Sequence, residues 1–287
     1  MWTLPSDYLQ LTKPTIMLLV LFTGATALVA EGSFLAQPGK FALVLLALYL
    51  TGGCANALNQ YFERDIDAKM KRTANRRPLP MDRISAQNAF WFAIAIGVIG
   101  VAVFAIWFNL LSALLAVGTI LFYSLFYTLW LKPNTVQNIV IGGIAGAMAP
   151  VGAWAAATGG TAVLPWLMFL IVFLWTPPHF WALALFCKDD YVRAQLPMMP
   201  VVKGDIATLR QIVVYSVIVA LVSLGLKWFG SGWPYFVVAL VLGAVMVLRS
   251  VQALRRQSEA SARRLFGFSI IYLFALFTAI MVDSLLV

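Results

Sequence analysis

The chain has 287 residues, of which 62% are hydrophobic and 11% charged, and its formal net charge is +9. A mean hydropathy of +0.90 excludes a soluble globular domain. The two cysteines, Cys54 and Cys187, indicate neither a disulfide framework nor a zinc cluster. Apolar runs long enough to span a bilayer recur along the chain and suit helices rather than barrel strands. We predict an all-α polytopic membrane protein, a single domain over 1–287, with nine spans near 14–31, 41–62, 87–108, 110–131, 139–158, 163–186, 207–229, 233–250 and 265–287.

Positive charge is distributed unequally between the two sides of these spans. Of the 20 Lys and Arg residues, 18 fall on one side, and only Lys40 and Lys227 fall on the other. By the positive-inside rule, the N-terminus is cytoplasmic and the C-terminus lies on the opposite side. The opening MWTLPSDYLQLTKPTI lacks the features of a removable signal peptide, so the first helix is expected to be retained. Topology and attraction to anionic lipid explain the net charge, and a nucleic-acid partner is not expected.

Charge of both signs concentrates in NQYFERDIDAKMKRTANRR (59–77), where nine of nineteen residues are charged. Asn59, Glu63 and Asp67 are spaced by four residues and form one stripe of a helix that extends the second span. Asp65 points roughly the opposite way and is the weaker candidate. Oxygen ligands of this kind suit Mg²⁺ that is shared with substrate phosphates. The alternative interpretation is a solvated loop in which acids and bases merely neutralise one another.

Cations and a second acidic pair fall on the same predicted side of the membrane. Asp189 and Asp190 follow the sixth span, and helical phase favours Asp190, which is eleven residues from His179. The side chains predicted to grip phosphate oxygens are Arg64, Lys71, Arg72, Arg76, Arg77, Lys132, Asn138 and Lys188.

His179 is the single histidine of the chain and lies within the sixth span. An ionisable residue at this depth is a functional candidate by default, and the alternative is a neutral histidine bonded to a neighbouring helix. Thr176-Pro177-Pro178 is expected to break the span, with a helix restarting at Pro177. Tyr123, Tyr127, Phe180 and Trp181 could stabilise a carbocation through their π faces, or could simply pack at the membrane interface.

The stripe and the KRTANRRPLP that follows it resemble the first signature of the UbiA-type intramembrane prenyltransferases. The resemblance continues through LKPNTVQNIVIGGIAGAMAPVGAW (131–154) and WTPPHFWALALFCKDDYVRAQLPMMPVVKGD (175–205), and the last stretch is similar to the haem-farnesylating branch. The family's second motif, DxxxD, is reduced here to Asp189-Asp190. One extra residue leaves Arg76 and Arg77 as alternatives for the family's arginine.

The resemblance implies a bundle of nine helices around a central chamber, with loops near 63–86 and 187–206 as a cap over a diphosphate site. It implies that farnesyl diphosphate binds with Mg²⁺ and that haem B is the acceptor substrate, not a prosthetic group. His179 would contact the acceptor, either at the haem iron or by a hydrogen bond. The implied setting is a bacterial-type inner membrane, with a haem A synthase or a terminal-oxidase assembly protein as candidate partner. The implied catalytic residues are Asn59, Glu63, Asp67 and Asp190, and the implied metal ligands are Asn59, Glu63, Asp67, Asp189 and Asp190.

Two other functions are considered for the chain. The nearer one is prenylation of an aromatic quinone precursor, against which the WTPPHFW segment and the lost DxxxD motif argue. The more distant one is a membrane transporter, with the charged loops as gates. A transporter would more often carry charges in several spans or a two-half repeat, whereas the acids here gather at one membrane surface.

Overall fold

A computed structural model describes residues 5–286 of the chain. Within this range nine helices are long and apolar enough to cross a membrane, and no residue is in a strand. The prediction of an all-α protein with nine spans is confirmed; the predicted end of the ninth span at 287 and the first four residues of the N-terminal prediction lie outside the described residues. The spans are α1 Pro14–Glu31, α2 Pro38–Phe62, α3 Ala86–Trp107, α4 Leu110–Asn134, α5 Asn138–Thr158, α6 Val163–Phe186, α7 Asp205–Phe229, α8 Trp233–Arg256 and α9 Glu259–Leu286.

The ends of the spans follow from ordinary capping chemistry. Pro14 and Pro38 occupy the first turns of α1 and α2, where a missing N–H costs no helical hydrogen bond. The Asn109 side chain accepts a hydrogen bond from the backbone N–H of Ser112 and so caps α4. Gly159 has a left-handed φ of 74° and ends α5. The connections between most spans are short.

Two spans depart from regular α-helix, α4 near the cytoplasmic end predicted from the charges and α5 at its midpoint. The second half of α4, Phe122–Leu131, is a π-helix. α5 is divided at Met148 into Asn138–Ala147 and Ala149–Thr158. π-helical segments are rare and are frequently found at functional sites. The irregular part of α4 directly precedes Lys132, one of the predicted phosphate-binding residues.

The expected break in α6 is absent, and that prediction was wrong. α6 is one helix from Val163 to Phe186 and includes both Pro177 and Pro178. Membrane helices tolerate proline where packing and hydroxyl side chains compensate, and here the Thr176 hydroxyl donates to the Val172 carbonyl at 2.8 Å. The helix ends instead at Phe186.

A separate short helix, Lys188–Arg193, follows Cys187, whose φ and ψ are −110° and 19°. His179 and Asp190 are therefore not on one continuous helix. The helical-phase argument that favoured Asp190 over Asp189 does not apply.

α6 packs against α5, α7 and α9 and is among the most buried spans. Its Met168 and Ile171 are fully buried. The outer faces of the peripheral helices carry exposed apolar side chains that suit contact with lipid, such as Ile106.

The segments 63–85 and 187–204 contain short helices and pack on the same end of the bundle. Met70 of the first segment, and Leu196 and Met198 of the second, are each 2% exposed and belong to the main apolar core. The two segments are therefore fixed to the bundle rather than extended into solvent, and they enclose the polar residues described next.

Candidate active site

The predicted stripe lies buried at the end of α2. α2 ends at Phe62, but the backbone N–H of Glu63 still donates to the Asn59 carbonyl at 3.0 Å, and that of Asp67 donates to the Glu63 carbonyl at 2.8 Å. The helical spacing therefore continues past the end of the span. Asn59, Glu63 and Asp67 are 2%, 2% and 0% exposed, whereas the Asp65 side chain is 85% exposed. The structure thus separates the stripe from Asp65 in the way the spacing predicts.

Each carboxylate of the stripe faces one cation. Lys132, at the end of α4, donates to Glu63 Oε1 at 2.6 Å. Arg77 donates to Asp67 Oδ2. The second oxygen of Asp67, Oδ1, is buried and has no hydrogen-bond partner in the described part of the chain. Of the two alternative arginines, Arg77 is the one in contact with the stripe.

Asn59 binds a lysine that the sequence assigned only to topology. Lys13 Nζ donates to Asn59 Oδ1 at 2.7 Å, and Asn59 Nδ2 donates to Thr128 Oγ1 at 3.0 Å. Thr128 lies in the π-helical segment and donates in turn to the Tyr123 carbonyl at 2.7 Å. Lys13 has a left-handed φ of 52°, uncommon for a residue with a side chain. Sequence reasoning missed Lys13 because a lysine before the first span is what topology alone would place there.

The site combines three cations, Lys13, Arg77 and Lys132, with the two carboxylates. Burial lowers the pKa of Lys13 well below that of a free lysine, and Arg77 and Lys132 lower it further. Burial opposes ionisation of Glu63, but Lys132 and Lys13 outweigh it and hold the pKa of that carboxyl below its ordinary value. Burial and the negative charge of Glu63 raise the pKa of Asp67 despite its ion pair with Arg77. Counted by formal charge, three cations and two carboxylates leave one positive charge, which favours an anion at the site.

Asp190 joins the second loop segment to the first. Its Oδ1 accepts from the backbone N–H of Lys71 at 3.0 Å, and its Oδ2 accepts from that of Arg72 at 3.2 Å. Arg193 also donates to Oδ1 at 2.6 Å. Burial opposes ionisation of Asp190, but these bonds lower its pKa overall. Both carboxylate oxygens are therefore engaged in holding residues 71 and 72 in place.

The remaining charged residues predicted for the site lie apart from the stripe. Asp189 is exposed and, with Lys188, lines a separate surface cavity near the start of α9; Lys188 pairs with Asp205 at 2.7 Å. The Arg64 guanidinium stacks on Tyr61, 5.0 Å from the ring centroid. Lys71 and Arg72 are exposed on the short helix Lys71–Ala74, and Arg76 is exposed just after it.

The stripe offers hard oxygen ligands, but they do not form a complete protein-only metal site. No three His, Cys, Asp or Glu residues between 5 and 286 are placed to share an ion. The residues nevertheless fit a metal that is completed by substrate, because Asp67 keeps one buried and unpartnered oxygen and shares a buried stripe with Glu63 and Asn59. Asn138 is also fully buried and has an unpartnered Oδ1.

His179 is held between two aromatic rings. Its ring stacks on Trp175 and Phe266 at centroid distances of 4.3 Å and 4.5 Å. The Ser269 hydroxyl donates to the Phe266 carbonyl at 2.6 Å and lies 2.7 Å from His179 Nδ1. If the hydroxyl donates its single proton to that carbonyl, it accepts from Nδ1–H, and Nε2 is then unprotonated. Sequence reasoning missed Ser269 and Phe266, since no spacing relates α9 to α6.

The predicted aromatic residues fall into three groups. Tyr123 and Tyr127 stack at 5.2 Å in the π-helical segment. Gly142 leaves room for Tyr127, because a Cβ on this glycine would lie 2.4 Å from the ring. Phe180 meets the His179 ring edge to face at 5.1 Å. Trp181 is 1% exposed and packs against Tyr215 in the core.

The chain is similar in sequence to one protein family and to several proteins that share one name. The sequence pattern of the UbiA prenyltransferase family matches residues 18–278. The chain is 49% identical over 286 residues to the protoheme IX farnesyltransferase of Erythrobacter litoralis, covering 98% of this chain and 92% of that one. It is 48% identical to the protoheme IX farnesyltransferase of Afipia carboxidovorans, covering 96% and 89% of the two chains.

Solved structures agree with the fold. A digeranylgeranylglyceryl phosphate synthase superposes with a TM-score of 0.81 at 17% identity, covering 98% of this chain and 99% of that one. A UbiA homologue from Archaeoglobus fulgidus bound to DMAPP and Mg²⁺ superposes with a TM-score of 0.63 at 17% identity, covering 96% and 99%. Sequence match and fold together show that this integral, multi-pass membrane protein is a member of the UbiA prenyltransferase family.

Proposed function

We propose that this prenyltransferase moves a farnesyl group from farnesyl diphosphate to a vinyl group of haem B, which yields haem O and diphosphate. The observation that carries the proposal is the buried cluster of Glu63, Asp67, Lys132, Arg77 and Lys13 at one end of an apolar bundle. The names of the relatives, at up to 49% identity over nearly the whole chain, support the choice of haem. Membership of an enzyme family removes the reason to consider a transporter.

The stripe is the proposed binding site for the diphosphate and its Mg²⁺. Asn59, Glu63 and Asp67 would hold the metal, and the bound metal would neutralise charge on the leaving group. Lys132 and Arg77 already lie at the carboxylates and would turn toward phosphate oxygens when Mg²⁺ takes their place. We assign Asp190 a positioning role, because it holds the backbone of residues 71 and 72. Asp189 and Lys188 are weaker candidates for binding the metal and the diphosphate, because they line a separate surface cavity.

The reaction requires the C1–O bond of farnesyl diphosphate to break, with its electron pair leaving on the diphosphate. A new C–C bond forms between C1 and a vinyl carbon of haem B. Water then adds to the neighbouring carbon and loses a proton, which leaves the hydroxyethylfarnesyl side chain. The chain contributes cations at the diphosphate and an apolar bundle that keeps bulk water from the allylic carbon. Stacked Tyr123 and Tyr127 present π faces at the same end of α4.

His179 is the proposed contact with the acceptor. Nδ1 lies 2.7 Å from the Ser269 hydroxyl, and Nε2 forms no hydrogen bond with the described residues. An unprotonated Nε2 can ligate a haem iron or accept a hydrogen bond, and both remain open. The rings of Trp175 and Phe266 prevent the imidazole from turning. Haem affinity should therefore fall in His179→Ala while farnesyl diphosphate still binds with Mg²⁺.

The acceptor is tested by incubating the purified protein with haem B, farnesyl diphosphate and Mg²⁺ and identifying products by mass spectrometry. We expect haem O. A parallel reaction contains an aromatic quinone precursor in place of haem B. If only the reaction with the quinone precursor gives a product, haem B is not the acceptor. The assignment as a prenyltransferase would still hold.

We propose that the cluster faces the cytoplasm of a bacterial-type inner membrane, because the cationic loops lie at that end. The N-terminus would then be cytoplasmic and the C-terminus on the opposite side. The loop segments 63–86 and 187–206 form the proposed cap, supported by the Asp190 bonds to residues 71 and 72. A haem A synthase or a terminal-oxidase assembly protein is the proposed partner, since haem O is apolar and requires direct transfer to the next protein.

A further inference from the structure

A second cluster of cations lies away from the candidate active site, between α8 and α9. A cleft at this position is lined by Arg249, Gln252 and Arg256 from α8 and by Ser261 and Arg264 from α9. The three α8 residues are spaced by three and four positions, so they share one face of the helix. The three arginines therefore line one cleft between two packed helices.

These guanidinium groups have no anionic partner in the part of the chain that the structure describes. Glu259 is the single acid in the sequence between residues 206 and 282. It is bound by Arg263, 2.6 Å away, and does not line the cleft. Three cations around one cleft without an acid repel one another, and a bound anion would relieve that repulsion. Membrane topology requires positive charge on this side but does not require it to line one cleft.

The surroundings of the cleft indicate that the anion belongs to a lipid. Arg249 is seven residues before Arg256, the last residue of α8, and therefore lies about 10 Å along the helix toward the membrane. Beyond it, Val241 is 56% exposed and Leu248 is 59% exposed, and on α9 Ile271 is 59% exposed. Cationic groups at the rim of an exposed aliphatic surface match the phosphate and acyl chains of one phospholipid.

We propose that the side chains bordering this cleft, Arg249, Gln252, Arg256 and Arg264, bind the phosphate headgroup of one anionic phospholipid of the cytoplasmic leaflet at the protein surface, because the cleft itself, with a volume of about 10 Å³, has room for a water molecule only. The guanidinium groups bind phosphate oxygens. The exposed side chains of α8 and α9 contact the acyl chains. The site is separate from the diphosphate site and does not depend on which acceptor the enzyme uses.

The test compares lipid retention by native mass spectrometry. The full chain is released from detergent that contains equal amounts of phosphatidylglycerol and phosphatidylcholine. Wild type should retain one phosphatidylglycerol. The triple variant Arg249→Gln, Arg256→Gln, Arg264→Gln should bind it on the order of tenfold more weakly or worse, because each guanidinium–phosphate bond contributes strongly. The matched control, Lys203→Gln, Arg210→Gln, Arg255→Gln, removes the same charge from exposed positions outside the cleft and should retain the lipid.

Equal loss in the two triple variants, or no loss in either, would overturn the proposal. A soluble anion is distinguished by adding glycerol 3-phosphate at millimolar concentration. If glycerol 3-phosphate displaces the lipid at that concentration, the cleft is assigned to free phosphates instead. If the triple variant does not fold, a second experiment on the wild type alone tests the proposal. Phenylglyoxal should modify Arg249, Arg256 and Arg264 more slowly in phosphatidylglycerol nanodiscs than in phosphatidylcholine nanodiscs, and equal rates would contradict the proposal.

Discussion

Glu63 accepts a hydrogen bond from Lys132 at 2.6 Å, although 69 residues separate the two in the chain. The contact joins the end of α2 to the end of α4 and places a cation at a buried carboxylate. Its counterpart, Arg77 at Asp67, comes from the loop segment that follows α2. In the proposed mechanism these cations neutralise the stripe before substrate arrives and hold the diphosphate afterwards.

Loss of either carboxylate of the stripe should remove activity. Glu63→Gln and Asp67→Asn each keep the side-chain shape but lose a metal ligand, and we expect kcat/KM for haem O formation to fall about a hundredfold or more. Asp65→Asn is the matched control, since this side chain is 85% exposed, and it should stay close to wild type. A larger loss in Asp65→Asn than in the other two would show that the stripe is assigned wrongly.

Lys13 should contribute a positive charge that is lost as pH rises through its lowered pKa. Lys13→Met removes the cation at Asn59 and should lower kcat on the order of ten- to a hundredfold. Because burial and Arg77 lower the pKa of Lys13, the wild-type amine loses its proton as pH rises through that lowered pKa, and activity should fall there.

The pH profile of Lys13→Met should lack this decrease. Lys69→Met, which alters an exposed lysine of the following loop, is the control and should keep both the rate and the decrease. An identical decrease in wild type and in Lys13→Met would assign the titration to another group.

Asp190 and Asp189 should differ sharply despite being adjacent. Asp190→Ala removes the acceptor of the Lys71 and Arg72 backbone N–H groups, so trypsin should cleave after these residues several times faster. Asp189→Ala changes an exposed side chain and should leave the cleavage rate unchanged. Because the pKa of Asp190 is lowered, its contribution is present above the ordinary pKa of an aspartic acid and is lost as pH falls through the lowered value. Equal protection in the two variants would argue against the positioning role.

Gly142→Ala should disturb the stacked rings of Tyr123 and Tyr127. The added Cβ would lie 2.4 Å from the Tyr127 ring, and we expect overpacking of this kind to cost about 1–3 kcal/mol and to lower the melting temperature in detergent. Gly146→Ala, on the same helix, meets nothing within 4 Å, and should keep or raise the melting temperature. A Gly142→Ala protein as stable as Gly146→Ala would show that Tyr127 moves aside at no cost.

The spans and the stripe could be predicted because both depend on local periodicity. Nine apolar runs identify nine helices, and a spacing of four residues places Asn59, Glu63 and Asp67 on one face. Pro177 and Pro178 misled the prediction because local propensity favours a break, whereas packing of α6 against α5, α7 and α9 maintains the helix.

The partners of the predicted residues could not be read from the sequence. Lys13 contacts Asn59, which is 46 residues away in the chain, and Ser269 contacts His179, which is 90 residues away. No periodicity relates such positions. The resemblance implies Asp190 as a metal ligand, and that stays a prediction. Its backbone partners in the other loop segment depend on how the two segments pack, which no local pattern predicts.

The central claim is that the Asn59–Glu63–Asp67 stripe works with Mg²⁺ on a prenyl diphosphate. The most direct measurement is haem O formation from haem B and farnesyl diphosphate by the purified protein, first with excess EDTA and then after Mg²⁺ is added back. We predict no turnover in EDTA and full recovery with Mg²⁺. Undiminished turnover in a rigorously metal-free preparation would contradict the account.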